Sequence, residues 1–134
     1  MDQGYVWQKR RGGVMIEVLP ESQDNILGVK GIGKLTDLDY KNILVPRLER
    51  MIKDYQKVRC LFLMTEEFHG WELEAAWDDA KFGMQHRNDF EKVAVVGGPR
   101  WVEWGTKLAA LIMSGEVKTF SSEHLEEAWD WVKS

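Results

Sequence analysis

Two nearly continuous apolar runs constrain the fold of this chain more than any other feature. Residues 58–64 read VRCLFLM and residues 92–96 read KVAVV. A strand that is apolar at almost every position is buried on both faces, and such burial is typical of parallel sheets that helices cover. The two runs therefore predict central parallel strands.

The segments around these runs predict the other elements. Short apolar or alternating segments bounded by turn residues predict strands at 15–19, 25–32 and 117–120. Apolar residues at helical spacing predict helices from about Thr36 to Tyr55, Gly70 to Met84, Arg100 to Met113 and Ser121 to Val132. This order predicts an α/β fold, with a single mixed, mostly parallel sheet, helices packed on it and one antiparallel hairpin.

Individual residues indicate where helices begin. Thr36 and Ser121 are predicted N-caps, because a side-chain hydroxyl can accept a hydrogen bond from a free backbone N–H of the first turn. Phe120 and Leu125 flank Ser121 at the spacing of a hydrophobic staple. Pro46 lies inside the first helical pattern and has no N–H, so the helix should kink or restart there.

The length of 134 residues fits one domain with a single core. No patterned strand precedes Met15. We therefore interpret residues 1–14 as a flexible N-terminal extension and residues 15–134 as the domain.

Charge and cysteine content exclude several classes of function. The net charge is −4, and 18 Lys and Arg are scattered among 22 Asp and Glu, whereas nucleic-acid binding depends on clustered cations. Cys60 is the single cysteine, which excludes an internal disulfide and a cysteine-based zinc site. The sequence contains neither an apolar stretch of the roughly 18 residues that cross a bilayer nor a secretory signal, so a cytoplasmic protein is expected.

The stretch 66–86, EEFHGWELEAAWDDAKFGMQH, contains the strongest candidates for chemistry. A helix between His69 and His86 would separate them by about 25 Å, too far to share a metal, and a catalytic zinc normally needs three protein ligands. Asp78 and Asp79 would point about 100° apart on that helix, which favours a solvated face. The stretch is therefore interpreted as an amphipathic helix without a metal site.

Phosphate binding and nucleophilic catalysis are weakly supported. GVKGIGKL at 28–35 resembles a phosphate-binding loop, but Leu35 occupies the position of the magnesium-binding hydroxyl. The glycines are also explained as bends or bulges in an edge strand. The chain has no G-x-S-x-G motif, and Ser121 is better explained as a cap. We predict no catalytic residue, no cofactor and no enzymatic activity.

Tryptophan is unusually frequent in this chain. It occurs seven times, where typical usage of roughly one in eighty residues predicts about two. Core packing is one explanation. An apolar groove between the second and third predicted helices is the other, because indole rings recur at pockets and partner surfaces where one edge stays wet. The predicted groove residues are Trp71, Trp77, Met84, Trp101, Trp104 and Leu108, with His86 and Arg100 near its ends to engage a polar head group.

Several segments resemble the SpoIIAA-like family, which has the STAS architecture. In chain order they are GKLTDLDY at 33–40, Pro46, WDDAK at 77–81 with His86, FEKVAVVGGPRW at 90–101 and VKTFSSEHLEEAWDWV at 117–132. The resemblance covers roughly residues 15–133. It implies a mixed sheet of four or five strands with helices packed mainly on one side.

The resemblance also bears on function. Anti-sigma-factor antagonists of this fold carry a phosphorylatable serine in the turn between the central strand and the second helix, where phosphate disrupts partner docking. Here that turn, 66–71, reads EEFHGW and has no serine, so a phosphoswitch is not expected. Members of the SpoIIAA-like family resemble lipid-carrier domains whose helices open or close over an apolar cavity. This resemblance agrees with the predicted groove.

These observations predict a non-catalytic binding domain for an apolar or amphipathic small molecule, such as a lipid, with peripheral membrane contact as an accompanying expectation. The alternative is a regulatory protein-interaction module of STAS type that docks through the surface of the second helix. A homodimer is expected if aromatic area remains exposed, because large apolar patches are rarely left bare on monomers.

Overall fold

The computed structural model of the chain describes residues 16–32, 34–35, 40–65, 70–71, 81–98, 100, 106–107, 110–111 and 113–134. The strands are β1 (Ile16–Val18), β2 (Ile26–Gly31), β3 (Lys34–Leu35), β4 (Val58–Met64), β5 (Gly70–Trp71), β6 (Phe90–Gly97) and β7 (Glu116–Phe120). The helices are α1 (Val45–Tyr55), α2 with residues 81–85, α3 with residues 100, 106–107 and 110, and α4 (Leu125–Lys133). The predicted extension, 1–14, and the predicted cap Thr36 lie outside the described residues.

The main sheet has five strands in the order β1-β2-β4-β6-β7. β1 and β2 form the predicted antiparallel hairpin, with Glu17 opposite Lys30. The pairs β2–β4, β4–β6 and β6–β7 are parallel. The predicted α/β fold with a mixed, mostly parallel sheet is therefore confirmed.

Pro46 acts on α1 as predicted. The α-helix begins at Val45, so the proline lies at its second position, where the hydrogen-bond pattern changes. A π-helical turn, Tyr40–Leu44, precedes it. The helical pattern therefore restarts at the proline.

Some predicted boundaries were wrong. Gly70–Trp71 is a strand that pairs in parallel with Lys34–Leu35, so α2 does not begin at Gly70. The third helix does not reach Met113, because Leu111 lies in a turn.

Ser121 begins the last helical segment but does not cap it with its hydroxyl. The segment opens with a 3-10 turn, Ser122–His124, and the Ser121 Oγ lies 2.8 Å from His124 Nδ1. The backbone carbonyl of Ser121 accepts the N–H of His124 instead, at 2.9 Å.

The central strands are buried on both faces. The parallel strands β2, β4, β6 and β7 advance in one direction across the sheet. The first face forms a core with α1 and α2 that includes Leu27, Val29, Leu48, Cys60, Phe82 and Val93. The second face forms a core with α4 from Leu61, Ala94, Val96, Ala128, Trp129 and Val132.

The absence of a side chain at Gly28 allows α4 to pack close to the sheet. A Cβ added at Gly28 would lie 2.5 Å from a ring carbon of Trp129, so the indole occupies the space of the missing side chain. Trp129 is only 7% exposed. Gly28 lies in β2, inside the sheet, so its interpretation as a bend or bulge in an edge strand was wrong.

Arg59 and Lys92 of the sheet bind backbone carbonyls at the end of α4. Arg59 donates from Nη1 to the carbonyl of Val132 at 2.8 Å and from Nε to Glu91 Oε1 at 2.8 Å. That hydrogen bond lowers the pKa of the Glu91 carboxyl. Lys92 donates to the carbonyl of Trp131 at 3.1 Å. Arg59 thus satisfies a carbonyl that the helix end leaves free, and Lys92 adds to the bonds that the Trp131 carbonyl accepts from Ser134.

Substitution of Gly28→Ala is expected to destabilise the chain by about 1–3 kcal/mol, because the methyl group collides with a buried ring that packing holds in place. Urea unfolding followed by circular dichroism measures the change. Gly83→Ala is the matched control. Gly83 lies in α2 with nothing within 4 Å of an added Cβ, so the same methyl group should stabilise by about 0.5–1 kcal/mol. Equal stability of the two variants would contradict the Trp129 contact.

Candidate functional site

The described part of the predicted groove is the carboxyl-terminal end of α2. Phe82 is 9% exposed and packs into the core, with its ring 6.3 Å from that of Phe90 in an edge-on arrangement. Met84, two residues later, is 50% exposed. The helix is therefore anchored on one side by an aromatic ring and presents an apolar side chain to its surroundings on another.

His86 is held by an aromatic ring and a carboxylate. Its ring lies 4.4 Å from the Phe82 ring between centroids, and its Nδ1 lies 2.8 Å from Asp89 Oδ2. An ionised carboxylate only accepts hydrogen bonds, so Nδ1 carries the proton of this contact. Nε2 is then an acceptor in the neutral ring and a donor in the cationic ring. The side chain is 22% exposed.

Hydrogen bonds fix the backbone around His86. The carbonyl of Phe82 accepts the His86 N–H at 3.0 Å, and the carbonyl of His86 accepts the Asp89 N–H at 2.8 Å. The turn before β7 is joined to the same corner, because Ser114 donates from its N–H and from Oγ to the carbonyl of Arg87, each at 3.1 Å. His86 is thus presented from a well-connected turn.

The structure describes only some of the predicted groove residues. Met84 lies at the end of α2, His86 lies in the turn that follows, and Arg100 is an exposed residue of α3. Trp71 is described only by its backbone in β5. The remaining groove residues lie outside the described part of the chain: Trp77, Trp101, Trp104 and Leu108. The groove between α2 and α3 therefore stays a prediction.

Asp89 and Phe82 are site residues that sequence reasoning missed. Asp89 follows His86 at a separation of three residues in the run HRND, a spacing that a single helical turn brings together. That spacing was a usable signal. The contact of Phe82 with His86 has the helical spacing of four residues and could have been found in the same way.

Metal and thiol chemistry find no support in the described residues. No group of three or more His, Cys, Asp or Glu side chains among them could hold a metal ion. Cys60 is fully buried, and burial raises the pKa of its thiol to about 12, which keeps it protonated and unreactive at neutral pH. In the searched part of the chain, every helix is too short or too polar to cross a membrane.

The buried thiol of Cys60 is expected to react with a thiol reagent only after unfolding. At pH 8 its labelling in native buffer should be at least about 10³-fold slower than in concentrated urea, because native domains unfold with free energies of about 5 kcal/mol or more. Absorbance of the released thiol chromophore measures both rates. Rapid native labelling would contradict the burial of this strand.

Comparisons with known proteins agree with the observed fold. The model of the SpoIIAA-like family matches residues 26–133. The chain is similar to a crystal structure of an uncharacterized protein with a SpoIIAA-like fold from Shewanella loihica PV-4. The TM-score is 0.72 and the identity 35%, over 88% of this chain and 94% of that one. A search of curated proteins gave no match.

Proposed function

The chain belongs to the SpoIIAA-like family, a generally non-catalytic regulatory or binding fold, and from that premise we propose that it binds an apolar or amphipathic small molecule between α2 and α3. The ligand is lipid-like in chemistry. The apolar part of the ligand would occupy the predicted groove, for which tryptophan side chains are the expected lining.

The half-exposed Met84 at the end of α2 carries this proposal. Met adapts its shape to irregular apolar ligands. His86 follows two positions later, and its Nδ1 contacts Asp89. Residues two apart on a helix do not face each other, so the two side chains offer separate contacts, one apolar and one polar. An apolar and a polar contact at the same helix end fit an amphipathic molecule.

Native mass spectrometry of protein purified from cells tests the proposal, followed by extraction and lipid analysis of the same sample. The expected result is a reproducible copurifying small molecule with an apolar chain. Absence of such a ligand in repeated preparations, together with no binding of a fluorescent fatty-acid probe, would contradict the proposal.

Met84→Glu is expected to weaken binding of the fatty-acid probe by about tenfold or more, because a carboxylate replaces an apolar contact and must be desolvated on binding. Stability should change by less than about 0.5 kcal/mol, since the side chain is 50% exposed. Fluorescence titration and thermal unfolding measure the two effects.

Tyr55→Glu is the matched control for Met84→Glu. Tyr55 lies at the end of α1 and is 48% exposed, so this variant makes the same change of charge at a similarly exposed apolar site on a different helix. Its probe affinity should equal that of the wild type. If both variants lose affinity equally, the effect comes from net charge and the assignment of Met84 is wrong.

A regulatory protein-interaction module is the second candidate function. Leu111, in the turn after α3, is 83% exposed, and this apolar side chain in solvent supports a docking surface. A pull-down with Trp77→Ala against the wild type separates the two functions. If Trp77 belongs to a docking surface, the variant no longer retains a partner protein. If Trp77 lines a groove, the variant no longer retains a small molecule.

A further inference from the structure

β7 lies at one end of the described sheet order, with β6 as its single neighbour there. Alternate backbone N–H and C=O groups of an edge strand point away from the sheet and can pair with another chain. Glu116, Lys118 and Thr119 are exposed along this strand. β7 therefore offers a five-residue edge.

The two ends of the sheet differ in how well they resist pairing. β1 has three residues and is followed closely by Pro20, and short edges next to proline are poor templates. A lysine on an edge strand usually discourages pairing. Here, however, the Lys118 Nζ lies 5.3 Å from the centroid of the Trp131 ring and 5.7 Å from that of Phe120, so the side chain lies over the α4 face. It leaves the backbone edge open.

The charges of β7 are self-complementary. In an antiparallel pair of two β7 strands with a twofold axis at Val117, Glu116 of each copy lies opposite Lys118 of the other. Such a register keeps the α4 faces of both copies on the same side of the joined sheet. Moving the axis to Glu116 or to Lys118 would instead place each of these charges opposite itself. One register is therefore favoured.

Neither charged group has a hydrogen-bond or ion-pair partner among the residues that the structure describes. The Lys118 ammonium makes its contacts with aromatic rings. From this geometry we infer that the chain forms a homodimer by antiparallel pairing of β7 with β7 of a second copy, which continues the sheet across both molecules.

Charge reversal at the two positions tests the register. Glu116→Lys should place lysine opposite lysine, and Lys118→Glu should place glutamate opposite glutamate. Each variant is expected to raise the dimer dissociation constant about tenfold or more, because two favourable cross-strand pairs become two unfavourable ones. An equimolar mixture of the two variants should recover a heterodimer, because every opposed pair is then of opposite charge. Sedimentation velocity over a concentration series measures all three samples.

Glu127→Lys controls for net charge. Glu127 is exposed on α4, so this variant changes the total charge as Glu116→Lys does, and it should dimerise like the wild type. Circular dichroism verifies that every variant is folded.

Three results would overturn the inference. If the folded wild-type chain stays monomeric across the concentration series, β7 does not pair with a second copy. A dimer that neither charge reversal weakens would place the interface elsewhere. A mixture of the two variants that does not associate would exclude the register at Val117.

Discussion

Two-sided burial of β4 and β6 is the constraint on which the rest of the structure depends. Cys60 and Leu61 are neighbours in the chain and both are fully enclosed, one in the core with α1 and α2 and the other in the core with α4. Burial of apolar area contributes roughly 25 cal/mol per Å². A strand of this composition is therefore stable only between two layers of helix, and among the described residues α4 supplies the second layer.

The sequence predicts elements well where the determining interaction is local. The apolar runs of β4 and β6 and the effect of Pro46 on α1 depend on neighbouring residues, and all were confirmed. The start of α2 was wrong because Gly70–Trp71 pairs with a strand far away in sequence. The role of Gly28 was missed for the same reason, because its need for a small residue comes from Trp129 at the other end of the chain.

The candidate site does not follow this division throughout. His86 was selected from its position near a helix end, but its partner Asp89 was overlooked, although the two are close in sequence. Tryptophan frequency alone could not separate core packing from a groove. Core packing holds for Trp129, which the α4 core encloses, while Trp131 lies partly buried beneath Lys92 and Lys118. An indole ring is identical in both settings, and only its neighbours decide between them.

The one-directional strand order has a consequence for where a ligand can enter. Open α/β sheets that bind nucleotides do so in a crevice where neighbouring connections leave toward opposite faces. From β2 to β7 the described parallel strands advance without such a reversal. The described part of the sheet therefore has no such switch-point crevice, and the ligand proposed above would lie between helices instead.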